Sequence, residues 1–287
     1  MGPTTETQRH DTLCLRVSVV GPMFLVAFFL VLQTSAWATW SVLAVDQKTG
    51  RVVIASATCV PFEPPQSLMG VQAVIVPGKG VAACQALVDT AGRNQMLVFD
   101  EIQKGTEPKE IIRLLHADPR IDNRQFGIVD LRGRSAAFNG ANNGSVSTDV
   151  QGEVAGEKIY FSIQGNILTR EEVVQDAEKA FLNLKGTMTD RVMAAMEAAD
   201  KQGGDSRCTC ATEPTASAPC TGKTSHVAYI LMADPTDRNG SSYNDGNYLM
   251  YISVTQGNIL PAENANPVVT LRMRYDAYMK QHPELAQ

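Results

Sequence analysis

The sequence predicts an α+β fold in four layers, an αββα sandwich of two central β-sheets flanked by helices. Three observations carry this expectation. Short apolar, β-rich runs come in blocks near the start, the middle and the end of the chain. Paired stretches of helical spacing separate those blocks. The first strands are apolar at nearly every position, as strands covered on both faces are. A conventional α/β sheet fits the same pattern.

Val17 to Leu32 (VSVVGPMFLVAFFLVL) carries no charge, follows Arg16 and precedes Ala36 and Ala38 in an A-x-A arrangement. This reads as a secretory signal peptide over residues 1–38, cleaved after Ala38. It is short for a membrane span of about 20 residues. The alternative is an uncleaved anchor over residues 17–38. One domain, 39–287, remains, with no linker dividing it. Trp40–Asp46 and Arg51–Thr58 read as a hairpin around Gln47-Lys48-Thr49-Gly50, Gly50 supplying a positive φ. Val71–Val76 and Gly80–Ala86 are two further strands. Helical spacing follows over Asn94–Lys104 and, opened by Pro108, over the segment carrying Ile111 to Leu115. Gln125–Leu131, Ser135–Phe138 and Lys158–Ile163 read as strands. Thr169 is expected to cap a helix reaching Leu184, and Thr189 one reaching Lys201. Residues 203–223 form a cysteine-containing loop. His226–Ala233 and Tyr248–Val254 are strands, and Asn266-Pro267 opens a last helix to about Gln281, its Leu271–Tyr275 stretch a packed surface helix rather than a membrane binder.

Composition narrows the function. Lys and Arg number 25 against 30 Asp and Glu, a net charge of −5, so no basic excess exists to neutralise phosphates. A nucleic-acid partner is not expected, nor stable membrane association once the leader is removed. There is no phosphate loop, no dinucleotide fingerprint and no G-x-S-x-G elbow, and the four histidines lack a triad pattern. No cofactor is expected. Asn143-Gly144-Ser145 and Asn239-Gly240-Ser241 would accept glycans only in a eukaryotic secretory path.

Cleavage after Ala38 would place Thr39 at the amino terminus, directly before a buried strand. A threonine hydroxyl needs a base. A free α-amine on the same residue, with a pKa of about 8, supplies one without histidine.

Thr39-Trp40-Ser41-Val42-Leu43-Ala44-Val45-Asp46 followed by Thr49-Gly50 resembles the opening of domain-of-unknown-function family 1028. The resemblance continues through Ser56, Gly80–Gln85, Arg124–Asp130, Gly133, Gln164–Leu168 and Gly203–Arg207, in order and spacing, over roughly residues 39 to 235. The tail to 287 is similar to longer members. Members of that family are grouped with the N-terminal nucleophile (Ntn) hydrolases, which implies an αββα sandwich; a biochemical activity is not implied. Some members begin Met-Thr-Phe-Ser, where Met removal would expose the same threonine that a leader peptidase would expose here.

The candidate site follows. Thr39 is the nucleophile, its amine the base. Asn166 and Gln85 are side-chain amides suited to an oxyanion. Ser56 could hydrogen-bond the amine. Asp46 could orient the amine, though a turn role fits it better. Arg124 and Asp130 could clamp a substrate carboxylate or bridge each other across strand ends. Asp205, after two glycines, is a site residue or a cap. Cys208, Cys210, Cys220 and His226 could supply zinc ligands, but Cys-x-Cys is not the usual knuckle and one disulfide within the three cysteines fits an oxidising compartment better, so no metal is expected. Cys59 and Cys84, on neighbouring expected strands, could pair or stay reduced. The reading is a secreted or periplasmic amidohydrolase acting on a small-molecule or peptide substrate, with a homo-oligomer open. The alternative is a non-catalytic binding or envelope-structural module.

Overall fold

The computed structural model describes residues 1–2 and 38–286. The expected leader or anchor, with Cys14, lies almost wholly outside the described residues. The described residues form two antiparallel sheets and six α-helices.

The first sheet contains β1 (Thr39–Asp46), β2 (Val52–Thr58), β7 (Ser147–Val154), β8 (Ile159–Asn166), β9 (Val227–Ala233) and β10 (Met250–Thr255), in the order β10-β9-β2-β1-β8-β7. The second contains β3 (Ala73–Val76), β4 (Gly80–Ala86), β5 (Arg124–Asp130) and β6 (Ser135–Asn139) in sequence order. The β1–β2 hairpin turns at Gly50, whose φ is 74°. It pairs Thr39 with Thr58 and Ser41 with Ser56.

Side-chain alternation sends each strand's two faces into different layers. Val42 and Ala44 of β1 pack with α4 (Glu172–Asn183), α5 (Met188–Lys201) and α6 (Pro267–Gln281) through Val173, Val192 and Leu271. Leu43 and Val45 face the second sheet and meet Ile75, Val81 and Val129. Beyond that sheet, Phe126 and Ile128 pack on Val98, Phe99 and Ile111 of α2 (Arg93–Lys104) and α3 (Pro108–Leu115). The order is helices, sheet, sheet, helices. Each fully buried Val, Leu, Ile or Phe side chain in these layers contributes about 1.5–3 kcal/mol.

Local structure departs from expectation in four places. The short helix α1 (Leu68–Gln72), capped by Ser67, precedes β3 and shortens it. β7 was not anticipated, because STDVQGEV is polar and half-buried at a sheet edge. Thr169 caps nothing: its hydroxyl donates to the Gly203 carbonyl at 2.9 Å, and α4 begins three residues later. Thr187, not Thr189, caps α5, in a reciprocal box with Asp190. Asn266 does cap α6, accepting from the Val268 N–H, and that helix buries Val268, Leu271 and Tyr275. Asn143 is buried, donating to the Arg124 carbonyl, so it is not available to a glycan.

Candidate functional site

Thr39 opens β1, in the interior of the six-stranded sheet, flanked by Thr58 of β2 and Asn166 of β8. Its position is fixed by register. The Gln47–Gly50 turn sets the hairpin count, and β8 runs antiparallel on the other side. The strand alternation puts Thr39 and Ser41 on the face toward the second sheet, with Leu43 and Val45.

That inter-sheet layer is apolar at one end and amide-rich at the Thr39 end. Gln85 of β4 donates to the Thr39 carbonyl at 3.2 Å and to Gln125 Oε1 at 2.7 Å. Its Oε1 accepts from Ser41 at 2.5 Å and from Gln72 at 2.8 Å. Gln125 reaches across to the Gly165 carbonyl at 2.8 Å. Gln164 donates to Ser41 at 2.6 Å and accepts from Ser162 at 2.9 Å. All of these groups are buried. Buried amides are tolerated only when satisfied, and these satisfy one another across the two sheets. Gln85 therefore holds the main chain of Thr39. Ser56 donates to the Trp40 carbonyl at 2.7 Å and accepts from Gln72 at 3.0 Å, so its hydroxyl is committed one residue along from the Thr39 nitrogen.

The group beside Thr39 that the sequence did not single out is Thr58. Thr39 Oγ1 donates to Thr58 Oγ1 at 3.3 Å, and Thr58 Oγ1 donates to the Ala38 carbonyl at 2.6 Å. Arg207 Nη2 donates to the same carbonyl at 3.3 Å. Arg207 lies on the 203–223 loop and is oriented by Asp205, through Nε to Oδ1 at 3.0 Å and Nη2 to Oδ2 at 2.8 Å. Asp205 also accepts the Cys59 N–H at 2.9 Å. The two preceding glycines bring this loop close. Gly204 has φ 45°, and a Cβ there would lie 2.5 Å from the Trp40 ring.

Two cations border this end, Arg207, paired with Asp205, and Lys223. Lys223 is buried, donating to the carbonyls of Thr212 and Pro214, and burial pushes its pKa down. Burial, with Lys223 and Arg207 nearby, pushes His226 down to about 4, so its ring is neutral at pH 7.

The other expected residues fall elsewhere. Asp46 sits at the far end of β1 and caps the hairpin turn, accepting from Lys48 and Thr49. Arg124 and Asp130 occupy opposite ends of β5 and do not bridge each other. Arg124 faces the outer helices, where it pairs with Asp118 at 2.8 Å and lines a cavity of about 280 Å³ with Asp89 and Asn94. Burial opposes ionisation of Asp118, but bonds from Asn94, the Arg120 N–H and Arg124 hold it below the usual carboxylate range. Asp130 pairs with Arg134 at 2.6 Å and borders a separate cavity of about 410 Å³. Neither cavity includes Thr39.

The cysteines also correct the sequence reading. Cys210 pairs with Cys220, within the loop as expected. Cys59 pairs with Cys208 and not with Cys84, which is a buried thiol with its pKa pushed up by burial. The three loop sulfurs are thus committed to disulfides and are not thiolate ligands. Disulfides belong to an oxidising extracellular or periplasmic setting. Among the described residues, no helix is long and apolar enough to cross a membrane.

A family described as "Family of unknown function (DUF1028)" matches residues 39–218. The chain belongs to this family. The DUF1028 match begins at Thr39, the first residue of β1, and stops before β9, β10 and α6, which complete the first sheet and its helical cover. A solved structure extends the likeness. Protein SPO2555 from Silicibacter pomeroyi, described with the same DUF1028 assignment, superposes with a TM-score of 0.61 at 21% identity, covering 84% of this chain and 89% of that one. At that identity the likeness is one of fold. No curated protein matches the DUF1028 chain in sequence.

Proposed function

We propose that the chain is the exported precursor of an Ntn-type amidohydrolase in which Thr39 is the nucleophile. The observation that carries the reading is the position of Thr39. It is the residue after an A-x-A leader end, the first residue of an interior strand, and the first residue of the family match. The helix–sheet–sheet–helix layering is the one the Ntn resemblance implies, which supports the same reading.

Leader removal after Ala38 turns the Thr39 nitrogen from an amide into an amine. The hydroxyl then attacks an amide carbonyl, its proton passing to the amine directly or through one water. The leaving amine takes that proton as the acyl bond to Oγ is made, and water resolves the acyl-enzyme. Asn166, register partner of Thr39 on β8, is the amide assigned to the oxyanion. Gln85 and Ser56 act as positioning residues, fixing the carbonyls of Thr39 and Trp40. Asp205 acts through Arg207 and the Cys59 N–H. Arg124 and Asp130, committed to Asp118 and Arg134, are assigned to structure.

The test is amino-terminal sequencing of the exported protein, followed by treatment with a hydroxyl-acylating ester. The expected sequence is Thr-Trp-Ser-Val-Leu, with acylation on Thr39 that Thr39→Ala abolishes and Thr39→Ser retains. A start elsewhere, or equal labelling of Thr39→Ala, overturns the assignment in favour of a binding or envelope-structural module.

A further inference from the structure

We infer that Thr58, across β1 from Asn166, and Arg207 join that amide in cradling the substrate's acyl carbonyl oxygen, at the place that the carbonyl of Ala38 fills in the precursor. The inference rests on Thr39 being the nucleophile.

Two side-chain donors converge on the Ala38 oxygen from distant parts of the chain: Thr58 Oγ1 at 2.6 Å from the end of β2, and Arg207 Nη2 at 3.3 Å from the loop. Both are held independently of that oxygen. Thr58 is set by the sheet, paired to Thr39 on one side and Val227 on the other, and its hydroxyl also accepts the Val60 N–H at 3.2 Å. Arg207 is set by the two-point pair with buried Asp205, which in turn takes the N–H groups of Arg207 and Cys59. The Cys59–Cys208 disulfide then ties the residue after Thr58 to the residue after Arg207. When residue 38 leaves, the donors stay in place and their acceptor does not. The next carbonyl to arrive beside Thr39 meets a ready pair of N–H and O–H groups.

The geometry suits the reaction. Thr39 Oγ1, the attacking atom, is 3.3 Å from Thr58 Oγ1, so nucleophile and cradle adjoin. As the Oγ–C bond forms, the carbonyl π electrons move onto oxygen, and the hydroxyl proton moves to the Thr39 amine. Collapse returns the electrons, breaks the C–N bond and sends the proton to the departing amine. The oxygen carries negative charge only in between, beside Arg207, whose guanidinium is itself held by the Asp205 carboxylate. Preorganised donors act most strongly on such transient charge. The resident group being replaced is an alanine carbonyl. The substrate class is an N-acyl or peptide amide, and an acyl-alanine returns the resident carbonyl to the cradle.

The experiment uses the exported protein and N-acetyl-alanine p-nitrophenyl ester, following the nitrophenolate burst and the acylated Thr39 peptide by mass. Thr58→Val and Arg207→Gln are expected to slow acylation about a hundredfold with little change in KM, and Thr58→Ser to restore most of the rate. A merely structural role would not give that split or that rescue. Thermal melts confirm folding; if Thr58→Val does not fold, Arg207→Gln and Arg207→Lys decide. A wild-type burst on Thr39 with both variants within about twofold of wild type overturns the cradle and leaves the nucleophile standing. No acylation of Thr39 in the wild type overturns both.

Discussion

Thr58 and Arg207 differ in how readable they were. Thr58 follows from the hairpin: once the turn is placed at Gln47–Gly50, counting back along both strands sets it opposite Thr39. Arg207 does not, because nothing in its own stretch says that a loop from the far side of α5 returns to the start of β1. Gln85 was legible as a buried amide on a strand, but its use, holding the Thr39 carbonyl, depends on the facing of two sheets that are not adjacent in sequence. Another local consequence concerns His226. Its Nδ1 is buried without a partner, and burial, Lys223 and Arg207 lower its pKa from 6.5 to about 4. The unfolded chain therefore takes up a proton first as pH falls. The contribution of His226 is full above about pH 6.5 and is lost progressively down to about pH 4. Thermal melts of His226→Gln at neutral pH and at about pH 4.5 should lie closer together than those of the wild type; an unchanged gap would contradict the assignment.

At the level of strands and helices, the apolar runs and the glycine turns located most elements. The departures have local causes. β7 is an edge strand whose half-buried face needs little hydrophobicity, and α1 is a single turn set by the Ser67 cap. At α5 two threonines lie within reach of the helix start and Thr187 is the cap, while at α4 the lone Thr169 is drawn to the Gly203 carbonyl instead. One strand position is more demanding than its neighbours. Gly127 of β5 faces Gln164 of β8, and a Cβ at 127 would stand 2.2 Å from Gln164 Oε1. Gln164 cannot swing aside without leaving Ser41 and Ser162. Gly127→Ala should cost about 1–3 kcal/mol, read as a lower denaturant midpoint. A neutral result would mean that the amide layer is looser than its hydrogen bonds imply.

Across the whole molecule, the layered α+β architecture was legible because strands apolar on both faces demand cover on both. The Cys59–Cys208 pairing was not, since the two are 149 residues apart and meet only after the first sheet and its loop are assembled. That separation has an energetic counterpart. By loop entropy, a link closing about 150 residues stabilises by about 5 kcal/mol and one closing about 11 by about 3 kcal/mol. Replacing Cys59 and Cys208 by serine should therefore lower the melting temperature more than replacing Cys210 and Cys220; the reverse order would show that the short loop's own packing dominates. The strand order has a different kind of consequence. β1 lies between β2, which follows it at once, and β8, which is synthesised more than a hundred residues later. Ala38 and Thr39 are both buried in the finished sheet. For a chain threaded amino terminus first through a translocon, the bond between them is open to a peptidase only until β8 crosses and docks alongside. On the proposed cleavage after Ala38, maturation is a race between cleavage and zippering, and the length of chain between β1 and β8 sets the clock.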